Sequence, residues 1–241
     1  MCHESLPVVL EPLRCVQRHR RLDHSIYGRM MKKTVHKNLA NSIVVIRVLL
    51  VFWAIALLSA YDPWSRGFGL VLMMLSALLD WVDGYVANTL KISSRVGGLL
   101  DTMGDRITEN LLFIFFAYKG IIPLYVPLFY IPRSFVADFI RTLSFSSGLS
   151  TFEVNTSAWG QMLVASPWSR VVYLAMKISI FLAGGLLLVL QSMNVDMRSV
   201  WIRGLQDGIV GCAALTVIFS LLRFICLVYD SRSILKREFL A

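Results

Sequence analysis

Four aspartates stand in or at the edge of two long apolar segments of this 241-residue chain: Asp80, Asp83, Asp101 and Asp105. A carboxylate in an apolar helix is costly, so it is expected to face a polar cavity or a bound cation. The spacings i, i+3 and i, i+4 put each pair on one face of a helix. Because oxygen ligands prefer hard divalent cations, the pattern predicts a site for Mg²⁺ or Mn²⁺, with two ions as the expected occupancy.

Small residues accompany the aspartates on the same helix faces. Gly84 and Ala87 lie on the face of the first pair, and Gly97 and Gly98 precede the second pair. One interpretation is close helix packing, which small residues permit. Beside four acids we favour the other interpretation, in which these positions leave room for a diphosphate group. The connection between the two segments is short, so the helices are expected to be antiparallel neighbours whose acidic faces meet.

The composition indicates a membrane protein. Hydrophobic residues make up 56% of the chain and charged residues 16%, whereas soluble domains carry about 25% charged residues. The mean hydropathy is +0.65. The apolar residues fall in runs long enough to cross roughly 30 Å of hydrocarbon as helices. We therefore predict an all-α integral membrane fold with six transmembrane helices at about 39–61, 67–90, 96–118, 123–146, 169–191 and 203–229.

The charge distribution predicts the orientation and the flanking segments. Residues 1–37 are basic, and 25–37 is predicted to be a juxtamembrane amphipathic helix, with a disordered basic tail as the alternative. The six spans occupy 38–229, and 230–241 is a basic tail. The net charge is +9, and most lysines and arginines fall on the side of the termini, which predicts cytoplasmic termini and a cytoplasmic active site. No cleavable signal is recognisable, so a bacterial inner membrane is the expected location.

Other classes of chemistry find little support in the sequence. The 4 cysteines form no C-x-x-C pair and the 4 histidines precede the first span, which argues against a disulfide, a zinc site or histidine catalysis. The positive charge comes without a nucleic-acid-binding motif, so membrane lipid is the expected partner and nucleic acid is not. A membrane cation transporter is the alternative of another class, because acids on adjacent spans also line ion paths. The glycine spacing argues against it.

The chain resembles the CDP-alcohol phosphatidyltransferase family, whose signature matches the string Asp80-x2-Asp83-Gly84-x2-Ala87-x9-Gly97-x3-Asp101-x3-Asp105. The hydrophobic pattern over about residues 38–229 is similar to this family as well. The resemblance implies a phospholipid-synthesis enzyme that uses a donor such as CDP-diacylglycerol and releases CMP. It also implies that Asp105 is the general base, that the other three aspartates are mainly metal ligands, and that the protein is a homodimer.

The same resemblance assigns a donor-binding groove. Matching positions are expected to line the cytidine and diphosphate groups: Gly84, Ala87, Ser93 and Gly97. One position departs from the family pattern, because Asn88 stands where an arginine usually follows the motif alanine. Either Lys91 or Arg95, a turn or two away, takes over that contact with the donor, or the affinity for the donor or the choice of donor departs from the family pattern. An inactive family member that serves as a membrane scaffold is the alternative that Asn88 supports.

Cations later in the chain predict the acceptor site. Arg133 and Arg141 lie on nearly one face of the fourth span, with a spacing that resembles phosphatidylglycerophosphate synthases. Arg170 and Lys177 begin the fifth span. Together they predict a small phosphorylated acceptor, with glycerol 3-phosphate as the first choice. The alternatives are ion pairing with Asp138 or with the catalytic acids for the arginines of span four, and a membrane-surface anchor for Arg170.

Two local sequences favour a different acceptor. Asp105-Arg106-x2-Glu109 resembles branches of the family that use inositol phosphate, and Gly160-Gln161 stands where many glycerophosphate enzymes have Gly-Lys. Inositol phosphate or another polyol therefore stays open as the acceptor. Arg47, near the start of the first span, is expected either to brace the cavity or simply to snorkel toward the membrane surface.

Overall fold

The structure is a computed structural model that describes residues 42–90, 95–146, 157, 160–193, 195 and 199–240, without the side chains of 81–90, 95–96, 144–146, 165 and 233–240. Six long helices occupy these ranges: α1 Ser42–Ser59, and α2 Pro63–Leu90, α3 Arg95–Tyr118, α4 Tyr125–Ser146, α5 Pro167–Ser192 and α6 Val200–Leu240. A short π-helical segment, Gln161–Ala165, precedes α5. The predicted amphipathic helix at 25–37, like all of 1–37, lies outside the described residues.

The all-α class is confirmed, since every regular element in the described ranges is a helix. Three stretches are long and apolar enough to cross a membrane: α1, α5 and Val200–Arg232 of α6. The helices α2, α3 and α4 contain 28, 24 and 22 residues, which is also sufficient length, but they carry the charged residues of the candidate site. The count of six transmembrane helices therefore stays a prediction.

One helix is longer than predicted. The span predicted at 203–229 lies within α6, which begins at Val200 and continues through the basic tail to Leu240. The segment SRSILKREFL at its end contains no glycine or proline and several strong helix formers, so nothing in the local sequence stops the helix.

A helix cap ends the turn between α1 and α2. The Ser65 backbone N–H donates to Asp62 Oδ2 at 2.8 Å, and Pro63 occupies the first helical position, where no N–H is needed. The same hydrogen bond lowers the pKa of the exposed Asp62 carboxyl. Arg66, buried in the first turn of α2, donates to the backbone carbonyl of Leu188 at 2.6 Å. This turn is therefore fastened to the end of α5.

Gly120 follows the end of α3 at Tyr118, which is also the predicted end of the third span. Its φ is +70°, a left-handed conformation that glycine adopts without strain. The Gly120 N–H donates to the Ala117 carbonyl at 3.0 Å, and the Ile121 N–H donates to the Phe116 carbonyl at 3.0 Å. These two bonds form a Schellman motif, which satisfies carbonyls that the helix end would leave open. The buried Ile121 then leads into α4.

An aromatic core holds α3, α4 and α5 together. The Phe113 ring centroid lies 4.5 Å from that of Tyr130 and 4.9 Å from that of Phe181, and all three residues are buried. Around this core α5 packs against α2, α3 and α6, while α4 packs against α3 and α6. Glu109 lies one turn before Phe113 on α3, so a rigid core fixes the polar residues next to it.

Gly69 lets α1 and α2 approach closely. A Cβ at this position would lie 2.9 Å from the Ala54 carbonyl oxygen and 2.9 Å from the Leu58 backbone nitrogen, so the two backbones would have to separate. We expect Gly69→Ala to lower the free energy of unfolding by about 1–3 kcal/mol through overpacking.

The control for Gly69 is Gly67→Ala, which adds a methyl group to open space on the same helix. It should be neutral or slightly stabilising, because alanine favours a helix more than glycine does. Thermal unfolding of the purified proteins in detergent measures both variants. Equal midpoints for the two would show that the close approach at Gly69 does not limit stability.

Candidate active site

Three of the four predicted aspartates converge between α2 and α3. Asp80 comes from α2, and Asp101 and Asp105 come from successive turns on one face of α3. One carboxylate oxygen of each lies within 4.8 Å of the others. We call these three residues the acidic cluster, and their predicted convergence is confirmed. Asp83 lies on α2 one turn after Asp80, but its side chain is not among those described.

The guanidinium of Arg47 lies among these carboxylates. Arg47 comes from α1, and its side chain is only 3% exposed, whereas those of Asp80, Asp101 and Asp105 are 39%, 46% and 43% exposed. Its Nη1 donates to Asp80 Oδ1, and its Nη2 donates to Asp105 Oδ1 at 2.7 Å and to Asp101 Oδ1 at 3.3 Å. One buried cation thus joins three helices, which agrees with a bracing role and not with snorkelling.

Gly104 makes room for this arginine. It lies on α3 between the two aspartates, and a Cβ there would be 2.6 Å from Val44 Cγ1 and 3.2 Å from Arg47 Nη2. The missing side chain therefore allows α1 to pack directly on α3. On the other side, the Ser76 hydroxyl of α2 donates to the Arg47 carbonyl at 3.4 Å. These contacts fix the backbone of α1 next to the acidic cluster.

A cavity of about 290 Å³ opens beside the acidic cluster. Its polar part includes Asp80, Asp105, Arg47, Glu109 and Lys177. Most of the remaining lining comes from apolar side chains of α1, α2, α3 and α5. The cavity therefore offers charged groups at one side and a hydrocarbon-like surface elsewhere, as a lipid-linked phosphate would require.

Glu109 lies one helical turn beyond Asp105 and joins three helices. It accepts hydrogen bonds from Lys177 of α5, from Arg106 Nη1 at 3.2 Å and from the Tyr130 hydroxyl at 2.5 Å. The Lys177 and Glu109 side chains are 8% and 16% exposed, so they form a largely buried ion pair. Lys177, predicted to bind the acceptor, is thus paired with an acid although it still lines the cavity.

Asp138 on α4 pairs with two arginines. Arg106 donates from Nε to Asp138 Oδ2 at 2.6 Å and from Nη2 to Oδ1 at 3.2 Å, which is the strong bidentate arrangement. Arg141 Nη1 donates to Asp138 Oδ1 at 3.2 Å. Arg141 therefore forms the ion pair with Asp138 that the sequence offered as the alternative to acceptor binding. The buried Nε of Arg141 nevertheless has no hydrogen-bond partner among the described residues.

Cationic side chains gather around Tyr173 of α5. Arg133 Nη1 donates to the Tyr173 hydroxyl at 3.4 Å. The Lys177 ammonium and the Arg223 guanidinium lie 4.7 Å and 5.3 Å from the Tyr173 ring centroid, within range of cation–π attraction. Arg133 is buried, and its Nε lacks a hydrogen-bond partner in the part of the chain that the structure describes. Buried cations so close together suit an anionic ligand.

Arg223 of α6 extends this group. It lies close enough to Arg133, Arg141 and Arg170 to interact with each electrostatically, and its Nη1 donates to Ser169 Oγ at 2.9 Å. We call Arg133, Arg141, Arg170 and Arg223 the cationic cluster. Arg223 is absent from the predicted site residues, although an arginine within an apolar span is itself a signal of function.

The predicted donor-binding residues are described only in part. Gly84, Ala87 and Asn88 lie on α2 beyond Asp80, in the stretch whose side chains are not described, and Lys91 and Ser93 fall outside the described residues. Gly97 lies in the first turn of α3. The donor-binding assignments therefore stay predictions.

The acidic cluster fits a divalent metal ion by its chemistry. Carboxylate oxygens from two helices lie within 4.8 Å of one another, and such hard donors are those that Mg²⁺ and Mn²⁺ prefer. The Arg47 guanidinium supplies one positive charge among these oxygens. This single charge does not balance three carboxylates. Asp80, Asp101 and Asp105 could therefore hold a metal ion.

The chain matches one family model over most of its length and named relatives over about half of it. Residues 37–217 match the model of the CDP-alcohol phosphatidyltransferase family. A Mycobacterium tuberculosis protein named as a candidate cardiolipin synthase is 34% identical over 115 residues, which are 47% of this chain and 54% of that protein. The Bacillus subtilis CDP-diacylglycerol–glycerol-3-phosphate 3-phosphatidyltransferase is 24% identical over 144 residues, 54% of this chain and 75% of that protein.

The chain spans about half the length of the mycobacterial relatives it matches. The family match is broader, because residues 37–217 include α1 to α5, both clusters apart from Arg223, and the string of aspartates and small residues between Asp80 and Asp105. On this match, the chain belongs to the CDP-alcohol phosphatidyltransferase family.

Proposed function

We propose that this protein transfers a phosphatidyl group from CDP-diacylglycerol to an alcohol acceptor with release of CMP, and that the acceptor is glycerol 3-phosphate. One observation carries the proposal: the acidic and cationic clusters are neighbours, linked by the buried Glu109–Lys177 pair. The acidic cluster suits a diphosphate with its divalent ions, and the cationic cluster suits the phosphate of the acceptor. The name of the Bacillus subtilis relative supports the same reaction.

Each aspartate has a part in this reaction. Mg²⁺ or Mn²⁺, held by Asp80, Asp83, Asp101 and Asp105 and expected as two ions, would supply Lewis-acid neutralisation of the diphosphate. Asp105 takes the proton from the acceptor hydroxyl as general base. The hydroxyl oxygen forms a bond to the phosphorus of the lipid phosphate. The bond from that phosphorus to the bridging oxygen breaks, and CMP leaves with the electron pair.

The cationic cluster is proposed to hold the acceptor phosphate. Arg133 and Arg141 each have a buried Nε without a partner in the described ranges, and guanidinium groups bind phosphate oxygens bidentately. Arg170 and Arg223 add positive charge from α5 and α6. Lys177 touches the Tyr173 ring and Glu109, so it links the acceptor site to the cavity that contains Asp105.

The donor is proposed to lie along the C-terminal end of α2 and the start of α3. Gly84, Ala87, Ser93 and Gly97 would line its cytidine and diphosphate groups by their match to the family signature. Asn88 and Lys91 would make the polar contacts near the position where the family usually has arginine. The mainly apolar part of the 290 Å³ cavity would receive hydrocarbon of the lipid.

We propose that α1 to α6 are six transmembrane helices of a homodimer in a bacterial inner membrane, with both termini and the active site cytoplasmic. The six-span domain would occupy 38–229 between the basic segments 1–37 and 230–241. Exposed aromatic residues support this topology, because Tyr61, Trp64, Tyr118 and Trp201 are 90%, 81%, 83% and 89% exposed at helix ends that six alternating spans would place on one side. Tyrosine and tryptophan are enriched at membrane interfaces.

Release of CMP from CDP-diacylglycerol tests the proposed function. The purified chain would be assayed with Mg²⁺ or Mn²⁺ and a panel of acceptors comprising glycerol 3-phosphate, inositol phosphate, inositol, serine and phosphatidylglycerol. We expect the highest kcat/KM with glycerol 3-phosphate, and no turnover when EDTA removes divalent ions. A folded protein that releases no CMP with any acceptor would rule out the proposal and favour the scaffold interpretation.

Two arginine variants test the acceptor site. We expect Arg133→Met and Arg223→Met to raise the KM for glycerol 3-phosphate by about 10- to 100-fold, since a hydrogen bond to a charged group contributes about 1.5–3 kcal/mol. The KM for CDP-diacylglycerol should change far less. Lys119→Met is the control, because Lys119 packs on Phe115 and Tyr118 beyond the end of α3. Equal KM values for wild type and both arginine variants would show that the acceptor does not bind at the cationic cluster.

Phosphatidylglycerol is the second candidate acceptor. The mycobacterial relatives are named as candidate cardiolipin synthases, and the apolar lining of the cavity is compatible with a second lipid. Inositol phosphate or another polyol is the third, because Glu109 follows Asp105 and Arg106 as in branches of the family that use it. The acceptor panel separates these cases directly.

A further inference from the structure

Arg47 contacts all three carboxylates of the acidic cluster, the groups that would bind a metal ion. Its Nη groups reach Oδ1 of Asp80, Oδ1 of Asp101 and Oδ1 of Asp105. A divalent ion needs oxygens that converge on one point. In this structure a guanidinium already contacts one oxygen of each carboxylate, so the same three carboxylates serve two possible cations.

The position of Arg47 is built into the fold. The arginine is 3% exposed, the glycine at 104 leaves the space that Nη2 occupies, and Ser76 holds the Arg47 carbonyl. A surface arginine would swing freely into water, whereas this one is confined between three helices. Converging carboxylates repel one another, and a buried cation in their midst offsets that repulsion.

We propose that Arg47 is a built-in competitor of divalent ions, which holds the three carboxylates together and weakens metal binding by occupying their Oδ1 atoms. The proposal rests on the proposed function only in that the metal site is the acidic cluster. Binding of the ion and the contacts of Arg47 are then linked, and each weakens the other by the same factor. Arg47 is in this sense a positioning residue that sets the affinity for the metal.

Binding of Mn²⁺ to the full-length chain in detergent, followed by electron paramagnetic resonance, tests the proposal. We expect Arg47→Met to tighten the dissociation constant for Mn²⁺ at least tenfold, because methionine removes the competing charge but keeps much of the volume. Arg47→Lys keeps the charge with fewer donors and should fall between wild type and Arg47→Met. An unchanged or weaker Mn²⁺ affinity in both variants would overturn the proposal.

Thermal unfolding gives a second readout. In EDTA, Arg47→Met should unfold at a lower temperature than wild type, and saturating Mn²⁺ should raise its midpoint more than it raises that of wild type. Arg66→Met is the matched control: Arg66 is also buried, at 7% exposure, but it bonds to backbone carbonyls. It should lose stability equally with and without Mn²⁺.

A double variant keeps the test decisive if Arg47→Met folds poorly in EDTA. Asp80→Asn removes one of the repelling carboxylates, so Arg47→Met should lower the midpoint less in the Asp80→Asn background than in wild type. A drop that is just as large in both backgrounds would contradict the proposal. Neither readout uses CMP release, so failure of this inference and failure of the proposed function remain distinguishable.

Discussion

Asp105→Asn should abolish CMP release, with a loss in kcat of about a thousandfold or more, while the protein keeps its fold. General base catalysis contributes about 10²- to 10⁴-fold, and asparagine cannot accept the proton of the acceptor hydroxyl. Asp105 lines the cavity together with Asp80 and Glu109, so it faces the space where donor and acceptor would meet. The amide has nearly the size of the carboxylate, which leaves the packing of α3 intact.

Two measurements accompany the Asp105 variant. Asp62→Asn is the control, because Asp62 caps α2 on the exposed α1–α2 turn, where asparagine caps equally well, and it should keep full activity. Mn²⁺ binding separates the two roles of Asp105: retained binding with lost kcat identifies a base, and loss of both identifies a ligand. Full activity in Asp105→Asn would exclude it from either role.

Breaking the Glu109–Lys177 pair should be the most destabilising change in the polar network. Glu109→Gln leaves the Lys177 ammonium buried without its carboxylate, and Lys177→Met leaves the Glu109 carboxylate with Arg106 and Tyr130 alone. Removal of one partner from a buried ion pair costs about 3–5 kcal/mol. We expect Glu109→Gln to lower the free energy of unfolding by this amount, and Lys177→Met to lower it by less, because Glu109 keeps Arg106 and Tyr130.

The double variant Glu109→Gln with Lys177→Met should be more stable than the sum of the two single effects predicts, because no unpaired charge remains buried. Reversible unfolding in mixed detergent micelles measures the free energy of unfolding of wild type, both single variants and the double variant, which together form a double-mutant cycle. Lys119→Met, which removes a cation at the far end of α3, should leave stability within about 0.5 kcal/mol of wild type. Strict additivity of the two single effects would show that Glu109 and Lys177 are not coupled.

Local features of the sequence predicted much of the fold. The helix ends at Asp62-Pro63 and at Gly120 follow from a capping side chain and from a left-handed glycine, and both depend on residues a few positions apart. The periodic spacing within α3 likewise put Asp101 and Asp105 on one face. The span predicted at 203–229 lies within α6, which continues through the basic tail to Leu240, since a basic composition marks a membrane boundary but does not stop a helix.

The amino-acid sequence by itself determined the all-α class, the family and the aspartates of the acidic cluster, because these depend on apolar runs and on spacings within one or two neighbouring helices. Only the tertiary structure decided that Arg47 lies among those aspartates, that Lys177 pairs with Glu109, and that Arg223 joins Arg133 around Tyr173. Each of these contacts joins helices far apart in the chain. Spacing along one helix predicts the face on which a side chain lies. The packing of helices that are distant in the chain determines which residues that face contacts.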